Sequence, residues 1–438
     1  FGPKASASSM ELATCLLARV TGRPVKTIFT REQVFLHGRA RHQFFHTMTT
    51  GVDRDGKLLF LDHEALLDGG AFASFGIATV YYGGSLLGAP YRLPNLRYKG
   101  TRVVTNKPAC GAQRGHGGVI ARALFETQLD GLAHDLGIDP IEMRLRNVMG
   151  PGETTCNDLN MSSLGVRECL EAVRERSGWA GRLGEKRPGR GIGVACGFFV
   201  SGAGYPIYRS RTPHCTVVIK VDEAGGGVEV RSGAAEIGQG SDTMMATIAA
   251  EALGIPIEVV RVRSGDTDLA MDLGAYSSRT TLMTGHATLQ AAESVRRQIL
   301  DVVAEALKVP PADLAIAGGL VTVRGEAGDV AAIRTEYVKE HRGWALALDG
   351  PYLTFAEASR LAFLERGTIV GTGQYRPPTL GGAFKGAAVG TSPAYGCSAQ
   401  VAEVQVDLET GQVKVERIVS LSEPSVWSAR AISTPASS

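Results

Sequence analysis

The apolar positions change period several times along the chain, and each change marks an expected element. From Ser9 to Arg19 the run SMELATCLLAR spaces its apolar residues for one helical face, behind a serine suited to cap it. A strand is expected at Val25 to Phe29. His42 to Val52 and Lys57 to Leu67 read as strands joined by Asp53-Arg54-Asp55-Gly56, a hairpin turn signal. Tyr98 to Thr105 reads as a short strand that leads into a glycine-rich loop at 111–118. Ala121 to Leu136 and Pro140 to Asn147 read as helices, the second opened by Asp139 with Pro140 in its first turn.

Residues 151–192 are rich in Gly, Arg, Lys and Glu and read as a linker between 1–150 and 193–419. Beyond it, His214 to Val221 and Gly227 to Ser232 form an expected hairpin around Glu223-Ala224-Gly225-Gly226. A helix at Ser241 to Leu253 follows the loop EIGQG, and a long amphipathic helix is expected over Thr284 to Leu307. Ala399 to Asp407 and Gln412 to Val419 make a third hairpin across Leu408-Glu409-Thr410-Gly411. Hairpins mixed with helices, without a steady βαβ alternation, predict an α+β fold of mixed sheets and packed helices. Residues 420–438 hold seven serines in nineteen positions and no apolar period. They read either as a flexible tail or as the product of a lost coding frame.

Composition narrows the function classes. A length of 438 residues predicts two to four domains at ~150 residues each. Lys+Arg is 46 and Asp+Glu is 44, a balance that excludes a global grip on nucleic acid or anionic lipid. No apolar run approaches the ~18 residues of a membrane span, and no signal peptide opens the chain. Seven cysteines, an odd number without a CxxC pair, speak against a disulfide framework and for a reducing, cytoplasmic setting. Glycine makes up 55 of 438 residues, about 13% against a usual ~7%, which fits backbone brought close to a large ligand. Phe1 is not a methionine, and the chain is expected to lack its natural beginning.

Three loops carry candidate chemistry. Cys110-Gly-Ala-Gln-Arg-Gly-His-Gly-Gly118 surrounds Arg114 with glycines before a helix, a setting for an anion or simply a turn. Glu236-Ile-Gly-Gln-Gly-Ser-Asp-Thr243 puts a glutamine between two glycines, suited to hydrogen-bond a flat polar ligand. Tyr276-Ser-Ser-Arg-Thr-Thr281 gathers hydroxyls around one arginine, which suits a pyrophosphate or a run of helix caps. His42 and His46 lie ~13 Å apart on one strand face and do not chelate a common metal. Cys110 near His116 lacks a third, orienting residue, so a thiol hydrolase is disfavoured against a buried inert cysteine.

Together, the order and wording of the three loops resemble the molybdopterin-binding large subunit of the molybdenum hydroxylase family, the group containing xanthine dehydrogenase. The resemblance covers roughly residues 1–419 and includes the phrases GIDPIEMRLRNVM at 137–149 and SAQVAEVQVD at 398–407. It implies a first molybdopterin-binding portion in 1–150 and a second, incomplete one in 193–419. Phe1-Gly2 resembles the second half of the family's loop beside the molybdenum. The family's Arg-Gly-x-Gly loop matches Arg114, Gly115, His116 and Gly117, and its Gly-Gln-Gly loop matches Gly238, Gln239 and Gly240. Its Ser/Thr-rich pterin loop matches Ser277, Ser278, Arg279, Thr280 and Thr281.

The wording is most similar to the 4-hydroxybenzoyl-CoA reductase branch, in which Tyr82 and His116 resemble substrate-pocket residues. The resemblance implies a molybdenum-pterin cofactor in its cytosine dinucleotide form and no metal bound directly by side chains. It also implies an iron–sulfur small subunit and an FAD medium subunit, assembled as a dimer of heterotrimers. The implied reaction is reductive dehydroxylation of 4-hydroxybenzoyl-CoA, or hydroxylation of a purine, another N-heterocycle or an aldehyde. The family's general-base glutamate and a further cofactor loop are expected beyond residue 438, and Ala5 stands where purine oxidisers often carry glutamate. The chain as given is therefore expected to be an incomplete, inactive gene product.

Overall fold

The computed structural model describes residues 9–74, 76–184, 187–202, 213–223, 225–266, 268–323, 353–378 and 391–423. Helices α1 (Ser9–Thr21) and α2 (Arg31–His37) precede strands β1 (Gln43–Val52) and β2 (Leu58–Asp68), helix α3 (Gly76–Ser85) and strand β3 (Leu96–Val103). Helices α4 (Gly118–Leu136), α5 (Pro140–Asn147), α6 (Val166–Ser177) and α7 (Trp179–Leu183) lead to β4 (Arg190–Val200). Next come β5 (Cys215–Val221), β6 (Val228–Ser232), α8 (Ser241–Leu253), β7 (Val260–Arg263) and α9 (Gly285–Leu307). Strands β8 (Leu314–Ala317), β9 (Leu320–Val323) and β10 (Leu353–Thr354), helix α10 (Phe355–Arg366), and strands β11 (Val370–Tyr375), β12 (Tyr395–Val406) and β13 (Val413–Glu423) complete the described elements. The expected α+β class, with mixed sheets, is what the chain adopts.

The chain divides into two compact units. Among the described residues the first gathers 9–202 and 391–423, and the second 213–378. In the first unit β1 and β2 form the expected hairpin, whose turn closes as Asp53 Oδ1 accepts the amides of Asp55 and Lys57. β3 joins β2 in parallel, while β4, β12 and β13 form an antiparallel sheet. α4 buries Ala121, Phe125, Leu129 and Ala133, a stripe at steps of four. Arg144 on α5 is wholly buried, with its Nε donating to Glu126 Oε2 (2.8 Å) and its Nη1 to Asp130 Oδ1 (2.6 Å). Tyr91 Oη donates to the other Glu126 oxygen at 2.7 Å, so this charge network leaves no lone buried ion.

Four expectations change. Residues 151–192 do not behave as a linker, because α6 buries Val166, Cys169, Leu170 and Val173 and packs on β12 and β13. Each such side chain gains roughly 1.5–3 kcal/mol from burial, which outweighs the charged look of the segment. The division falls near 209 and 379, so β4, β12 and β13 belong with the first unit. Val25 to Phe29 is not a strand; Thr30 and Gln33 instead form a capping box that starts α2. The last strand runs to Glu423, past the expected stop at Val419, and residues 424–438 lie outside the described residues.

In the second unit β5 lies between β11 and β6, with β7 parallel to β6 at the edge. α8 and α9 pack together against this sheet. Thr280–Thr284 winds as a π-helix into α9, an irregular entry that the expected plain helix start at Thr284 did not include.

Candidate functional site

In the first unit the loop before α4 is tied down at both ends. Cys110 bridges to Ala40, with Gly111 N donating to Ala40 O at 3.0 Å, and Arg41 Nη2 donates to Arg114 O at 2.6 Å. His116 N donates to Gln113 O at 2.6 Å, closing a tight turn in which His116 itself takes a positive φ of 50°. Gly117 follows at φ 90°, and a Cβ there would stand 2.3 Å from Thr79 O, so only glycine lets α4 begin this close to α3. Arg114 is left exposed on the outside of the turn.

The Tyr82 and His116 rings meet edge to face at 4.9 Å, and Phe199 lies 5.6 Å from the Tyr82 ring. Tyr82 is only 2% exposed. Burial lowers the His116 pKa from 6.5 to about 4, with charge from His42 acting in the same direction and carbonyl contacts opposing it. The imidazole is therefore neutral at neutral pH, a hydrogen-bonding aromatic face and not a cation.

Cys110 is buried, its thiol directed to Arg41 O at 3.7 Å, and burial raises its pKa. That environment suits an inert cysteine. His46 finds its partner on the next strand, Nδ1 lying 2.8 Å from His63 Nε2, while His42 Nε2 accepts from Arg102 Nε at 3.0 Å. Among the described residues no group of three or more His, Cys, Asp or Glu side chains is placed to hold a metal ion.

In the second unit two loops open onto neighbouring helix starts. A Cβ on Gly285, in the first turn of α9, would stand 2.9 Å from Ile248 Cδ1 and 3.6 Å from Met244 Sδ of α8. The Gly-Gln-Gly loop runs into α8, and the Ser/Thr loop runs into the π-helical entry of α9. Gly238 and Gly240 have positive φ of 97° and 78°, and a Cβ at either would meet nothing within 4 Å. Residues 236–240 are exposed, as are Ser278 and Thr281. Bare backbone at one loop, with hydroxyls beside the start of the α9 entry at the other, is chemically suited to a flat polar ligand with a phosphate arm.

The side chains in these loops take roles that sequence spacing did not reveal. Gln239 Nε2 donates to Ala235 O (3.0 Å) and Ser241 Oγ (2.9 Å), and its Oε1 accepts the Ile237 amide (2.7 Å). Glu236 accepts from the amides of Gly238, Gly240 and Asp242. Desolvation raises its carboxyl, but those amides and the Ser241 hydroxyl outweigh it and bring the pKa to about 2. No side-chain spacing marks Glu236, because its main partners are backbone amides.

Ser277 and Ser278 are both left-handed, with φ of 53° and 51°. They turn Arg279 inward, where it is 1% exposed. Its Nη1 donates to Gly274 O (2.7 Å) and Asp272 Oδ1 (3.1 Å), its Nη2 to His214 O (2.6 Å). Thr284 Oγ1 donates to the other Asp272 oxygen at 3.1 Å. Arg279 thus locks the loop to the sheet, and Thr280 is half-buried behind it. Phe1 and Gly2 lie outside the described residues.

Residues 1–148 and residues 172–424 each match the molybdopterin cofactor-binding domain. The putative xanthine dehydrogenase molybdenum-binding subunit XdhA of Escherichia coli (strain K12) is 35% identical over 311 residues, 68% of this chain and 40% of the relative. The probable hypoxanthine oxidase XdhD of the same strain is 30% identical over 426 residues, 93% of this chain and 39% of the relative. Quinoline 2-oxidoreductase from Pseudomonas putida 86 superposes with a TM-score of 0.79 at 26% identity, covering 96% of this chain and 52% of that one. The chain spans about two fifths of the length of the two Escherichia coli relatives. With two ordered matches, the second alone covering more than half of its length, this chain belongs to the molybdopterin cofactor-binding domain family.

Proposed function

We propose that the chain is the cofactor-binding part of a molybdenum-dependent oxidoreductase subunit that acts on an aromatic N-heterocycle. The observation that carries the reading is the pair of open loops at the adjoining starts of α8 and α9, in a chain of this family. The pterin would lie along the bare backbone at Gly238 and Gly240, beside Gln239. Its phosphate would take the hydroxyls of Ser277, Ser278 and Thr281 and the amides at the start of the α9 entry. Arg279 and Thr280 would keep that loop in shape from behind.

When bound, the molybdenum centre supplies two-electron exchange of oxygen at an electron-poor ring carbon. The protein's share is to bind and orient. Tyr82, buried and packed against His116 and Phe199, would back a substrate pocket from behind, and neutral His116 can accept or donate one hydrogen bond without adding charge. The relatives named for xanthine, hypoxanthine and quinoline favour a heterocycle. Dehydroxylation of 4-hydroxybenzoyl-CoA is the finer alternative, favoured by the Tyr82–His116 pair, which suits a phenol ring. The Escherichia coli relative named a molybdenum-binding subunit favours partner chains, which would be iron–sulfur and FAD subunits in a cytoplasmic complex using the cytosine dinucleotide cofactor. No helix among the described residues is long and apolar enough to cross a membrane.

The test is metal and pterin analysis of protein purified from a host that makes the cofactor. One molybdenum and one pterin per chain are expected, and folded protein containing neither would overturn the reading. Turnover of xanthine, hypoxanthine, quinoline and 4-hydroxybenzoyl-CoA then separates the substrate classes.

A further inference from the structure

We propose that Glu236 is the positioning residue of the Gly-Gln-Gly loop: its carboxylate fills the amide nest at the start of α8, so the loop receives the neutral face of a ligand and refuses an anion. The inference rests on the pterin-binding reading and deepens it. A helix that begins after glycines usually leaves its first amides as an anion site. Here Gly238 N (2.6 Å) and Gly240 N (3.1 Å) donate to Glu236 Oε1, while Asp242 N (3.2 Å) and Ser241 Oγ (3.1 Å) donate to Oε2.

Gln239 braces the same loop from the other direction, through Ala235 O, Ser241 Oγ and the Ile237 amide. Two side chains therefore hold a backbone that contains two positive-φ glycines and would otherwise sample many shapes. Above those glycines the space is open. A phosphate arriving there would meet an ionised carboxylate on amides that are already taken. It is directed instead to the Ser277–Thr281 loop at the start of the α9 entry, whose hydroxyls carry no competing charge. The orientation of the ligand is set by this asymmetry, pterin face to one loop and phosphate to the other.

The experiment compares the native chain with E236A and E236Q by residue-resolved amide hydrogen exchange, sulfate titration and pterin content. In E236A, exchange at Gly238, Gly240 and Asp242 should rise about ten-fold or more, the equivalent of one lost charge-assisted hydrogen bond. Added acetate should restore much of the protection by refilling the nest, and sulfate should bind to E236A at a site that the native chain lacks. Pterin retention should fall several-fold, less in E236Q, which keeps one acceptor oxygen. Where E236A does not fold, E236Q carries the exchange and sulfate measurements. Unchanged exchange, or exchange that rises without response to acetate, overturns the proposal. Loss of protection with acetate rescue, in protein that holds no pterin even in its native form, sustains the role of Glu236 and sinks the pterin reading instead.

Discussion

A guanidinium with 1% exposure has to bring its own counter-charge, and Arg279 does so with Asp272. Removing one partner of such a pair leaves a buried charge uncompensated, at a cost of about 3–5 kcal/mol. Arg279→Ala should therefore lower the unfolding free energy of the ligand-free protein by that order, as read from urea unfolding. Arg279→Lys should fall between, because an ammonium cannot span Gly274 O, Asp272 and His214 O at once. If the guanidinium instead served the pterin phosphate directly, ligand-free stability would hardly move. The cluster around Arg279 was legible in the sequence as a run of hydroxyls around a charge. Its inward turn was not, because that depends on two consecutive left-handed serines, which composition does not announce. Glu236 escaped notice for a related reason: its partners are backbone amides, and side-chain spacing does not display them.

Helix α4 shows the same division at the scale of an element. Its stripe from Ala121 to Ala133 was readable, as was Asp139 capping α5 through the amides of Ile141 and Glu142. Its start depends on Gly117, which no periodicity identifies. Gly117→Ala would force a side chain to φ 90° against Thr79 O, and a loss of about 2 kcal/mol or more is expected. Gly131, exposed inside the same helix with nothing within 4 Å of a Cβ, should behave oppositely. Gly131→Ala should gain about 0.8–1 kcal/mol from helix propensity alone. Thermal unfolding of the two variants checks the pair, and equal effects would contradict this account of the helix start. The elements that sequence reading missed are those whose pattern is atypical. α3, GIATVYYGGS, has almost no polar face, and α6 hides four buried apolar residues among six charges. β3 was expected, but its parallel pairing with β2 depends on α3 crossing between them.

Across the molecule, buried histidines couple stability to mild acid. In the first unit burial lowers His42, His63 and His116 from 6.5 to about 4. Arg102 adds to the shift of His42 while Asp68 opposes it, and His46 adds to that of His63 while Asp62 opposes it. In the second unit burial also lowers His214 and His286. For each such ring the unfolded chain binds the proton more readily than the folded one. Their contribution is therefore complete above about pH 6.5 and is lost as the pH falls toward about 4. Carboxylates act in a separate, lower window. Asp68, held down to about 2 by Lys107, Thr105 and the Gly70 amide, loses its contribution only as the pH falls below about 4 toward 2. Stability against chemical unfolding should accordingly weaken between about pH 7 and about pH 5, by of order 1 kcal/mol or more in total, with Asp68 still ionised. His63 is the ring to remove, since it is fully buried and contacts His46 and Tyr98. His63→Gln should flatten the slope across that window while leaving the lower one in place. A slope that is already flat in the native protein, or one that His63→Gln leaves untouched, would mean that the ring is hydrated and not held in the sheet.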